Sequence, residues 1–339
     1  MILVIAEKPS VAQSIAKVLG ATSRKDGYME GGNYIVSWCF GHLVELADAS
    51  SYDERYAKWR YDDLPIVPES WMFEVTKDKA QQFKVLSALM KDKRVTELVC
   101  ATDAGREGEL IFRLVYDKAG CTKPFKRLWI SSLEDSAIRE GFNHLREGKE
   151  YDRLYEAALS RSKADWIVGI NGTRLFTTLY HKKLVVGRVQ TPTLAMLVER
   201  DGKISTFQKE KYFNVHVGMG DLTADLEKVK TEEEAKRIAA ACEKKQAVVS
   251  SLKRETKTVN PPKLYDLTTL QREANRYYGF TAQQTLDLVQ TLYEKKLLTY
   301  PRTDSQFITD DMEDTARQVI SIVCRQLPLF YGVSVTPDI

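Results

Sequence analysis

Residues that could carry out chemistry on a phosphate lie near the end of the sequence, where Tyr300, Pro301 and Arg302 follow one another. A tyrosine hydroxyl becomes a useful nucleophile when a cation favours its phenolate form, and Arg302 is the nearest cation in the sequence. Pro301 biases Tyr300 towards an extended conformation, so Tyr300 and Arg302 can project to one side. The spacing predicts that both side chains meet one phosphate. The alternative from these residues alone is a tyrosine at a strand end that packs on the core.

Three carboxylates in the first third of the chain form a second candidate site. Glu7 follows the apolar run 2–6, whereas Asp103 and Glu107 follow the apolar run 98–102. If these runs are neighbouring parallel strands, the three carboxylates converge at the carboxyl edge of a sheet, and their oxygens suit Mg²⁺. The alternative is that Asp103 and Glu107 only stabilise a helix N-terminus.

The elements that must position these residues follow from hydrophobic periodicity and capping residues. The first apolar run, 2–6, reads as a buried strand followed by a helix at 11–19 that Gly20 ends. The pattern predicts further strands at 34–40, 98–102, 126–130, 211–217 and 247–252, and further helices at 110–116, 136–145, 231–243 and 310–327. A capping box is predicted at 132–135, and a long ordered loop at 50–71. Near the end, Asp266 and Thr281 with Gln284 begin two short helices, Gly279 ends the first, and a strand is expected to follow, which is the order of a winged-helix unit.

Composition limits the classes of function. The 339 residues hold 50 Lys and Arg against 47 Asp and Glu, so a surface for a polyanion must be a local patch. Five scattered cysteines without a C-x-x-C pair indicate neither a zinc ribbon nor a disulfide framework, and a reduced, cytoplasmic setting is expected. The sequence has no signal-peptide pattern and no apolar run long enough to span a membrane.

Several motifs together carry a resemblance to a known family. Residues 300–305 (Tyr-Pro-Arg-Thr-Asp-Ser), 264–271 (Leu-Tyr-Asp-Leu-Thr-Thr-Leu-Gln) and 292–298 (Leu-Tyr-Glu-Lys-Lys-Leu-Leu) resemble the active-site segment of type IA DNA topoisomerases, most closely the bacterial topoisomerase III branch. The resemblance implies that Tyr300 attacks a DNA phosphodiester and holds the 5′ phosphate covalently, and that Arg302 lies beside that phosphate. It also implies transient cleavage and rejoining of one strand, which relaxes negatively supercoiled DNA or decatenates DNA.

The carboxylates resemble the Toprim pattern, which has a Glu after the first strand and Asp-x-Asp-x-Glu after a later one. Gly105 stands at the second Asp, so the resemblance implies metal ligands at Glu7, Asp103 and Glu107 and one Mg²⁺ that DNA phosphates help to hold. The resemblance also implies that Glu7 is a catalytic residue. Lys8 matches a basic residue that contacts the phosphate and helps to protonate the leaving 3′ oxygen.

The middle of the chain resembles family segments that line a groove for single-stranded DNA. The expected DNA-binding residues are His42 in the segment 41–46, Arg161, Asn171 and Arg174 near or within 164–174, and Arg188, Gln190 and Thr191 within 185–192. Trp166 or Tyr180 is expected to stack on a base. The partner is expected to be single-stranded or underwound DNA, bound by a monomer associated with the nucleoid.

The combined prediction is an α/β fold of four segments. They are a Rossmann-like parallel-sheet Toprim domain (1–148), a helical strand-binding segment (149–206), the start of a β-rich arch (207–260) and an incomplete winged-helix-like tyrosine domain (261–339). Family members are considerably longer, so two alternatives stay open: a non-catalytic fragment that binds single strands, and another Toprim enzyme such as a primase or nuclease. Tyr300 and Arg302 argue against the latter, because those chemistries need no tyrosine nucleophile.

Overall fold

A computed structural model describes residues 1–295, 297–302, 305–308 and 312–326. Lys296, Thr303 and Asp304 of the tyrosine segment, and both ends of the helix predicted at 310–327, lie outside these residues. The chain forms two compact units, Met1–Arg188 with Pro262–Ile339, and Val189–Pro261. The four segments inferred above remain sequence predictions, since the compact units divide the chain after Arg188 and before Pro262.

The strands of the first unit are β1 (Ile2–Ala6), β2 (Ser23–Lys25), β3 (Tyr28–Gly31), β4 (Tyr34–Trp38), β5 (Val44–Leu46), β6 (Phe73–Val75), β7 (Glu97–Ala101), β8 (Phe125–Arg127) and β9 (Arg146–Glu147). Its helices are α1 (Pro9–Leu19), α2 (Ala49–Tyr52), α3 (Ala80–Lys91), α4 (Arg106–Lys118), α5 (Asp135–Asn143) and α6 (Asp152–Tyr180). The second unit contains α7 (Gln190–Ser205), β10 (Phe213–Met219), β11 (Leu222–Val229) and α8 (Glu232–Cys242). The first unit resumes with α9 (Leu267–Tyr278), α10 (Ala282–Glu294) and α11 (Glu313–Gln326).

A seven-stranded sheet organises the first unit, in the order β2-β3-β4-β1-β7-β8-β9. Its centre is parallel, because β1 pairs in parallel with β4 and β7, and β7 with β8. Ala6 lies opposite both Trp38 and Ala101, so Glu7 and Thr102 leave the sheet at the same edge. The predicted α/β class and the predicted adjacency of the two apolar strands are confirmed.

Helices cover both faces of this sheet, as the continuous apolar strands require. On one face α1 and α5 bury Val11, Ile15 and Ile138, and the rings of Tyr293 and Tyr300 pack against the same cluster. On the other face α3, α4 and α6 contribute to a second cluster that contains Leu86, Phe112 and Ala158. The segment that carries Tyr300 is therefore packed on the same side of the sheet as α1.

The local signals at several helix ends are confirmed. Gly20 ends α1 with a φ of 73°, and Gly279 ends α9 with a φ of 70°, in the left-handed region that favours glycine. The Asp266 side chain accepts a hydrogen bond from the Thr269 N–H at 2.6 Å. Thr281 and Gln284 form the predicted capping box of α10. The residues described at 50–71 form a loop with short helical turns, as predicted.

Three sequence predictions are corrected by the structure. Helix α5 begins after Glu134 without a side-chain cap, because Ser132 Oγ instead accepts from the nearby Glu134 N–H at 3.2 Å, so the capping box at 132–135 is wrong. Residues 247–252 form no strand; β10 pairs with β11 instead, and Val248 is 84% exposed. No strand follows α10 within 297–302 or 305–308. Alternating apolar residues become a strand only where a partner strand is available.

Within the described residues, none of the helices combines the length and the apolar character needed to cross a membrane.

Candidate active site

The carboxyl edge of the sheet brings two acidic side chains together, of which Glu7 is buried and Asp103 half-buried. Glu7, which follows β1, is 7% exposed, and its Oε2 accepts a hydrogen bond from the Asp103 N–H at 3.3 Å. Burial, and then the negative charge of Asp103, raise the pKa of Glu7 to about 7, while the Asp103 N–H, Lys8 and Arg302 act in the opposite direction. Two carboxylates held this way destabilise each other's charge, and a cation would relieve that cost.

Tyr300 reaches the same edge from a part of the chain that is 197 residues away. Its hydroxyl donates to Asp103 Oδ2 at 2.8 Å, its N–H donates to the Ser131 carbonyl at 3.3 Å, and its ring meets that of Tyr293 edge-on at 5.6 Å. The candidate nucleophile therefore lies against one of the predicted metal ligands. The two candidate sites inferred separately from the sequence form one site.

The environment of Tyr300 differs from the cationic one that the sequence suggested. Burial, and then the Asp103 carboxylate, raise the pKa of the Tyr300 hydroxyl well above its ordinary value, and the opposing effect of Arg302 is the smallest. Arg302 is exposed. In this arrangement the hydroxyl keeps its proton, and Asp103 is the group placed to receive it.

Glu107 lies at the rim of the site. It occupies the first turn of α4, its side chain is 59% exposed, and its carboxylate lies 3.7 Å from His42 Nε2 and 4.0 Å from Arg106 Nε. Across the described ranges, no three His, Cys, Asp or Glu side chains are grouped closely enough to hold a metal ion. Of the three predicted ligands the structure brings together Glu7 and Asp103, and carboxylate oxygens are the ligands that a hard divalent cation such as Mg²⁺ prefers.

A buried arginine that the sequence reasoning did not select shapes the Asp103 loop. The Arg127 side chain is 0% exposed, and its guanidinium donates hydrogen bonds of 2.6–3.0 Å to the carbonyl oxygens of Cys100, Thr102, Asp103 and Leu128. Four bonds from one side chain fix the backbone that leads from β7 to Asp103. The signal was a charged residue within the strand predicted at 126–130, since a buried charge needs partners.

The ionic partner of Arg127 is Glu109, which is also completely buried. Glu109 Oε2 lies 3.1 Å from Arg127 Nε without the alignment of a hydrogen bond, so this contact is an ion pair. Glu109 Oε1 accepts a hydrogen bond from Arg113 Nε at 2.9 Å. Of the acidic residues after β7, Asp103 therefore faces the site, Glu107 lies at its rim, and Glu109 supports it from below.

Close packing of α4 on the Asp103 loop requires glycine at position 108. A Cβ atom at Gly108 would lie 2.1 Å from the Asp103 carbonyl oxygen, whereas a Cβ atom at Gly105 would meet nothing within 4 Å. Thr102 Oγ1 also donates to the Gly108 carbonyl oxygen at 2.7 Å, which holds the two backbones together.

We expect Gly108→Ala to lower the free energy of unfolding by about 3 kcal/mol, because rigid backbone must move to admit the methyl group. Gly105→Ala is the matched control: its φ of −175° suits any residue, and a change below about 0.5 kcal/mol is expected. Urea unfolding of both variants provides the measurement. If Gly108→Ala and Gly105→Ala lost the same stability, a side chain at position 108 would not clash with the Asp103 backbone.

Three of the predicted DNA-binding residues lie at or beside one groove. His42 and Arg161, together with Glu107, Asp165 and Trp166, are among the residues that line a groove of about 350 Å³ between the β4–β5 loop, α4 and α6. Arg188 Nε and Nη2 donate to the two oxygens of Asp165 at 2.7 and 3.0 Å. His42, Arg161 and Arg188 thus lie near the acidic edge.

Other predicted DNA contacts are used within the protein. The Asn171 amide accepts from the Ile66 N–H at 2.6 Å and donates to the Ile66 carbonyl at 2.8 Å. Arg174 is buried, donates to the Tyr56 carbonyl at 2.7 Å and lies over the Trp59 ring. Trp166 donates to the Ala47 carbonyl at 2.9 Å. These side chains hold the 47–66 segment on α6, and the predicted contacts of Asn171, Arg174 and Trp166 with DNA stay sequence predictions.

Gln190 and Thr191 begin α7 in the second unit. Their predicted contact with DNA stays a sequence prediction.

Comparisons with known proteins agree on one family. The family described as DNA topoisomerase matches residues 149–334, and the Toprim domain matches residues 2–133. A DNA topoisomerase 3 of Bacillus subtilis (strain 168) is 46% identical over 323 residues, which cover 93% of this chain and 44% of the relative. A DNA topoisomerase 3 of Staphylococcus haemolyticus (strain JCSC1435) is 46% identical over 320 residues, which cover 93% of this chain and 45% of the relative.

A solved structure, full-length topoisomerase I from Thermotoga maritima, superposes with a TM-score of 0.66 at 27% identity. The superposition covers 95% of this chain and 52% of that one. The chain therefore spans about half the length of the proteins it matches.

Proposed function

The chain belongs to the type IA DNA topoisomerase family, as its motifs indicated, and on that basis we propose that Tyr300 cleaves and rejoins one DNA strand through a 5′-phosphotyrosyl bond. The observation that carries the proposal is the hydrogen bond of 2.8 Å between the Tyr300 hydroxyl and Asp103 Oδ2. It joins the tyrosine segment to the acidic edge of the sheet. Relaxation of negatively supercoiled DNA and decatenation are the proposed activities of a whole protein of this family.

In the proposed cleavage step, Tyr300 Oη attacks the phosphorus of a phosphodiester and the bond from phosphorus to the 3′ oxygen breaks. The tyrosine proton passes to Asp103 Oδ2, and the 3′ oxygen takes a proton from Lys8 Nζ. Rejoining reverses each step: the 3′ hydroxyl attacks phosphorus, the bond to Tyr300 Oη breaks and both protons return. One phosphate ester replaces another, so no external energy source is needed.

The remaining charged residues have supporting roles in the proposal. Arg302 binds the non-bridging oxygens of the phosphate, where negative charge builds up in the transition state. Glu7 and Asp103, with Glu107 at the rim, would hold Mg²⁺, which would supply positive charge to stabilise the phosphate. His42, Arg161 and Arg188 bind the backbone of the strand that leads to the site.

The test is incubation of the protein with Mg²⁺ and a single-stranded oligonucleotide labelled at its 3′ end or at its 5′ end, followed by denaturing electrophoresis. A 5′-phosphotyrosyl bond retains the 3′ label on the protein and releases the 5′-labelled fragment with a free 3′ hydroxyl. Retention of the 5′ label would show the opposite polarity. Binding without an adduct would favour the alternative of a non-catalytic fragment that binds single strands.

We also propose that the protein acts as a monomer on single-stranded or underwound DNA of the nucleoid in the cytoplasm. The five free cysteines are consistent with the reducing conditions of that compartment.

The groove assignment makes a prediction about salt. We expect tighter binding to a single strand than to blunt duplex, because stacking needs exposed bases, and a steep fall in affinity with salt, because bound phosphates release counterions. Arg161→Ala should reduce the slope of log affinity against log salt by about 0.7, the value for one contact to a single strand.

Arg94→Ala is the matched control for this measurement, because Arg94 is a surface arginine that precedes β7 at the opposite, amino edge of the sheet. Its slope should equal that of the unmodified protein. Fluorescence anisotropy at several salt concentrations checks both variants, and equal slopes for Arg161→Ala and Arg94→Ala would contradict the assignment.

A further inference from the structure

A second concave surface lies at the C-terminal end of α6, apart from the groove beside the acidic edge. This surface, which we call the α6-end cleft, has a volume of about 510 Å³ and shares no lining residue with that groove. Because a helix rises about 1.5 Å per residue, Tyr180 at the end of α6 lies roughly 28 Å along the axis from Arg161. The lining of the cleft includes two aromatic and three cationic side chains: Trp59, Tyr61, Arg60, Lys182 and Lys183.

The three cations of the cleft are not engaged in ion pairs. Within the ranges that the structure describes, Arg60, Lys182 and Lys183 take part in none, and Asp62 and Asp63 do not line the cleft. The two lysines follow the C-terminus of α6, whose partial negative charge favours cations, so their position alone has an ordinary explanation. That explanation does not extend to Arg60, which comes from a distant part of the sequence. The cleft therefore concentrates positive charge that a bound anion can use.

Two exposed aromatic rings lie beside these cations. The Tyr61 side chain is 58% exposed, and that of Trp59 is 41% exposed although the Arg174 guanidinium lies 5.3 Å from the centre of its ring. Arg174 also donates to the Tyr56 carbonyl, so one buried side chain holds both the ring and the backbone before it. Exposed rings held next to cations are the combination that binds unpaired nucleic acid strands.

The loop that carries the two lysines is folded back on α6. His181 ends the helix with a φ of 52°, in the left-handed region. The Leu184 N–H then donates to Thr177 Oγ1 at 3.1 Å, and the Val186 N–H donates to Thr173 Oγ1 at 2.9 Å. Both walls of the cleft are thus fixed by hydrogen bonds, which lowers the cost of ordering them around a ligand.

We propose that the α6-end cleft is a second binding site for single-stranded DNA, outside the catalytic groove. Its three cations contact phosphates, and its two aromatic rings stack on bases. This inference rests on the proposed function for the kind of nucleic acid, and it adds an anchor that takes no part in cleavage. A duplex offers the same phosphates but keeps the faces of its bases stacked inside, so the exposed rings favour an unpaired strand.

One strand can occupy both sites. At 3.4 Å per stacked nucleotide, a span of roughly 28 Å takes about eight nucleotides. Once the groove holds a strand, binding at the cleft becomes intramolecular, and the total affinity rises without any new contact at the acidic edge.

The experiment measures the affinity for a labelled single strand of about 25 nucleotides, which is long enough to reach both sites, by fluorescence anisotropy at several salt concentrations. We expect Lys182→Ala combined with Lys183→Ala to weaken binding about tenfold and to reduce the slope of log affinity against log salt by about 1.4, the value for two contacts. Tyr61→Ala should weaken binding at least about fivefold, because one stacked base is lost, whereas Tyr61→Phe keeps the ring and should stay within about twofold.

The matched control for the two lysines is Arg24→Ala combined with Lys25→Ala. This variant removes an equally large charge from two adjacent exposed residues of the edge strand β2. Its affinity should change less than about twofold and its salt slope should stay the same. Melting temperatures confirm that each variant is folded.

The second site is overturned if the lysine pair and the β2 pair lose the same affinity, or if the unmodified protein binds no single strand. It is also overturned if Tyr61→Phe loses as much affinity as Tyr61→Ala, or if blunt duplex loses as much as the single strand. The outcome is separable from the proposed function. An adduct in the unmodified protein without these losses removes only the second site, and the losses without any adduct remove only the cleavage activity.

Discussion

Tyr300→Phe is expected to lower the yield of covalent adduct with a single-stranded oligonucleotide by more than about 10³-fold, because phenylalanine lacks the hydroxyl oxygen that bonds to phosphorus in the proposed step. Binding of the strand should change little, since the ring keeps its packing against Tyr293 and the groove residues are unaltered. The yield is measured by denaturing electrophoresis of the 3′-labelled oligonucleotide.

Tyr293→Phe is the matched control for this loss, because it removes a hydroxyl from the neighbouring ring, and we expect it to retain the adduct. An adduct that persists in Tyr300→Phe would remove this residue from the mechanism.

The second large effect is expected at Arg127. Arg127→Met fills a similar volume but leaves the buried Glu109 with one ionic partner fewer and removes one hydrogen-bond donor from each of four carbonyl groups. Breaking a buried pair in this way costs about 3–5 kcal/mol, because the remaining charge stays out of water. Urea unfolding at neutral pH should show a loss of this size, together with weaker Mg²⁺ binding, since the Asp103 backbone is no longer fixed.

Two further variants define the origin of that loss. Arg127→Met combined with Glu109→Gln should recover part of the stability, because the uncompensated charge is then removed. Arg94→Met disrupts pairs with Glu30 and Asp92 at the surface and should cost less than about 1 kcal/mol. A loss in Arg127→Met no larger than that in Arg94→Met would show that the buried pair does not hold the loop.

The sequence by itself determined the elements whose cause is local. The continuous apolar run before Glu7 is a buried strand wherever it lies, and Gly20, Asp266, Gly279 and the Thr281 capping box act on the backbone within a few residues. The family was equally accessible, because its motifs are short runs of residue types. A sequence pattern therefore predicted the parallel sheet, the helix pair before Tyr300 and the identity of the family.

Only the tertiary structure decided which way each side chain of the site faces. Glu107 and Glu109 lie two positions apart on α4, and the helix turn sends one to the rim and the other into the core. Asn171 and Arg174 have the chemistry of DNA contacts, but the 47–66 segment packs on them and takes their hydrogen bonds. The direction of a polar side chain depends on what packs beside it, which local sequence does not specify.

The same reason applies to the central contact of the site. The sequence placed a tyrosine near one end of the chain and carboxylates near the other, and each had an ordinary structural explanation on its own. Folding brings the Tyr300 hydroxyl to Asp103 across 197 residues and reverses the expected electrostatics, because a carboxylate, rather than Arg302, becomes its nearest partner. Residue types thus determined what chemistry was possible, and long-range packing decided which groups share it.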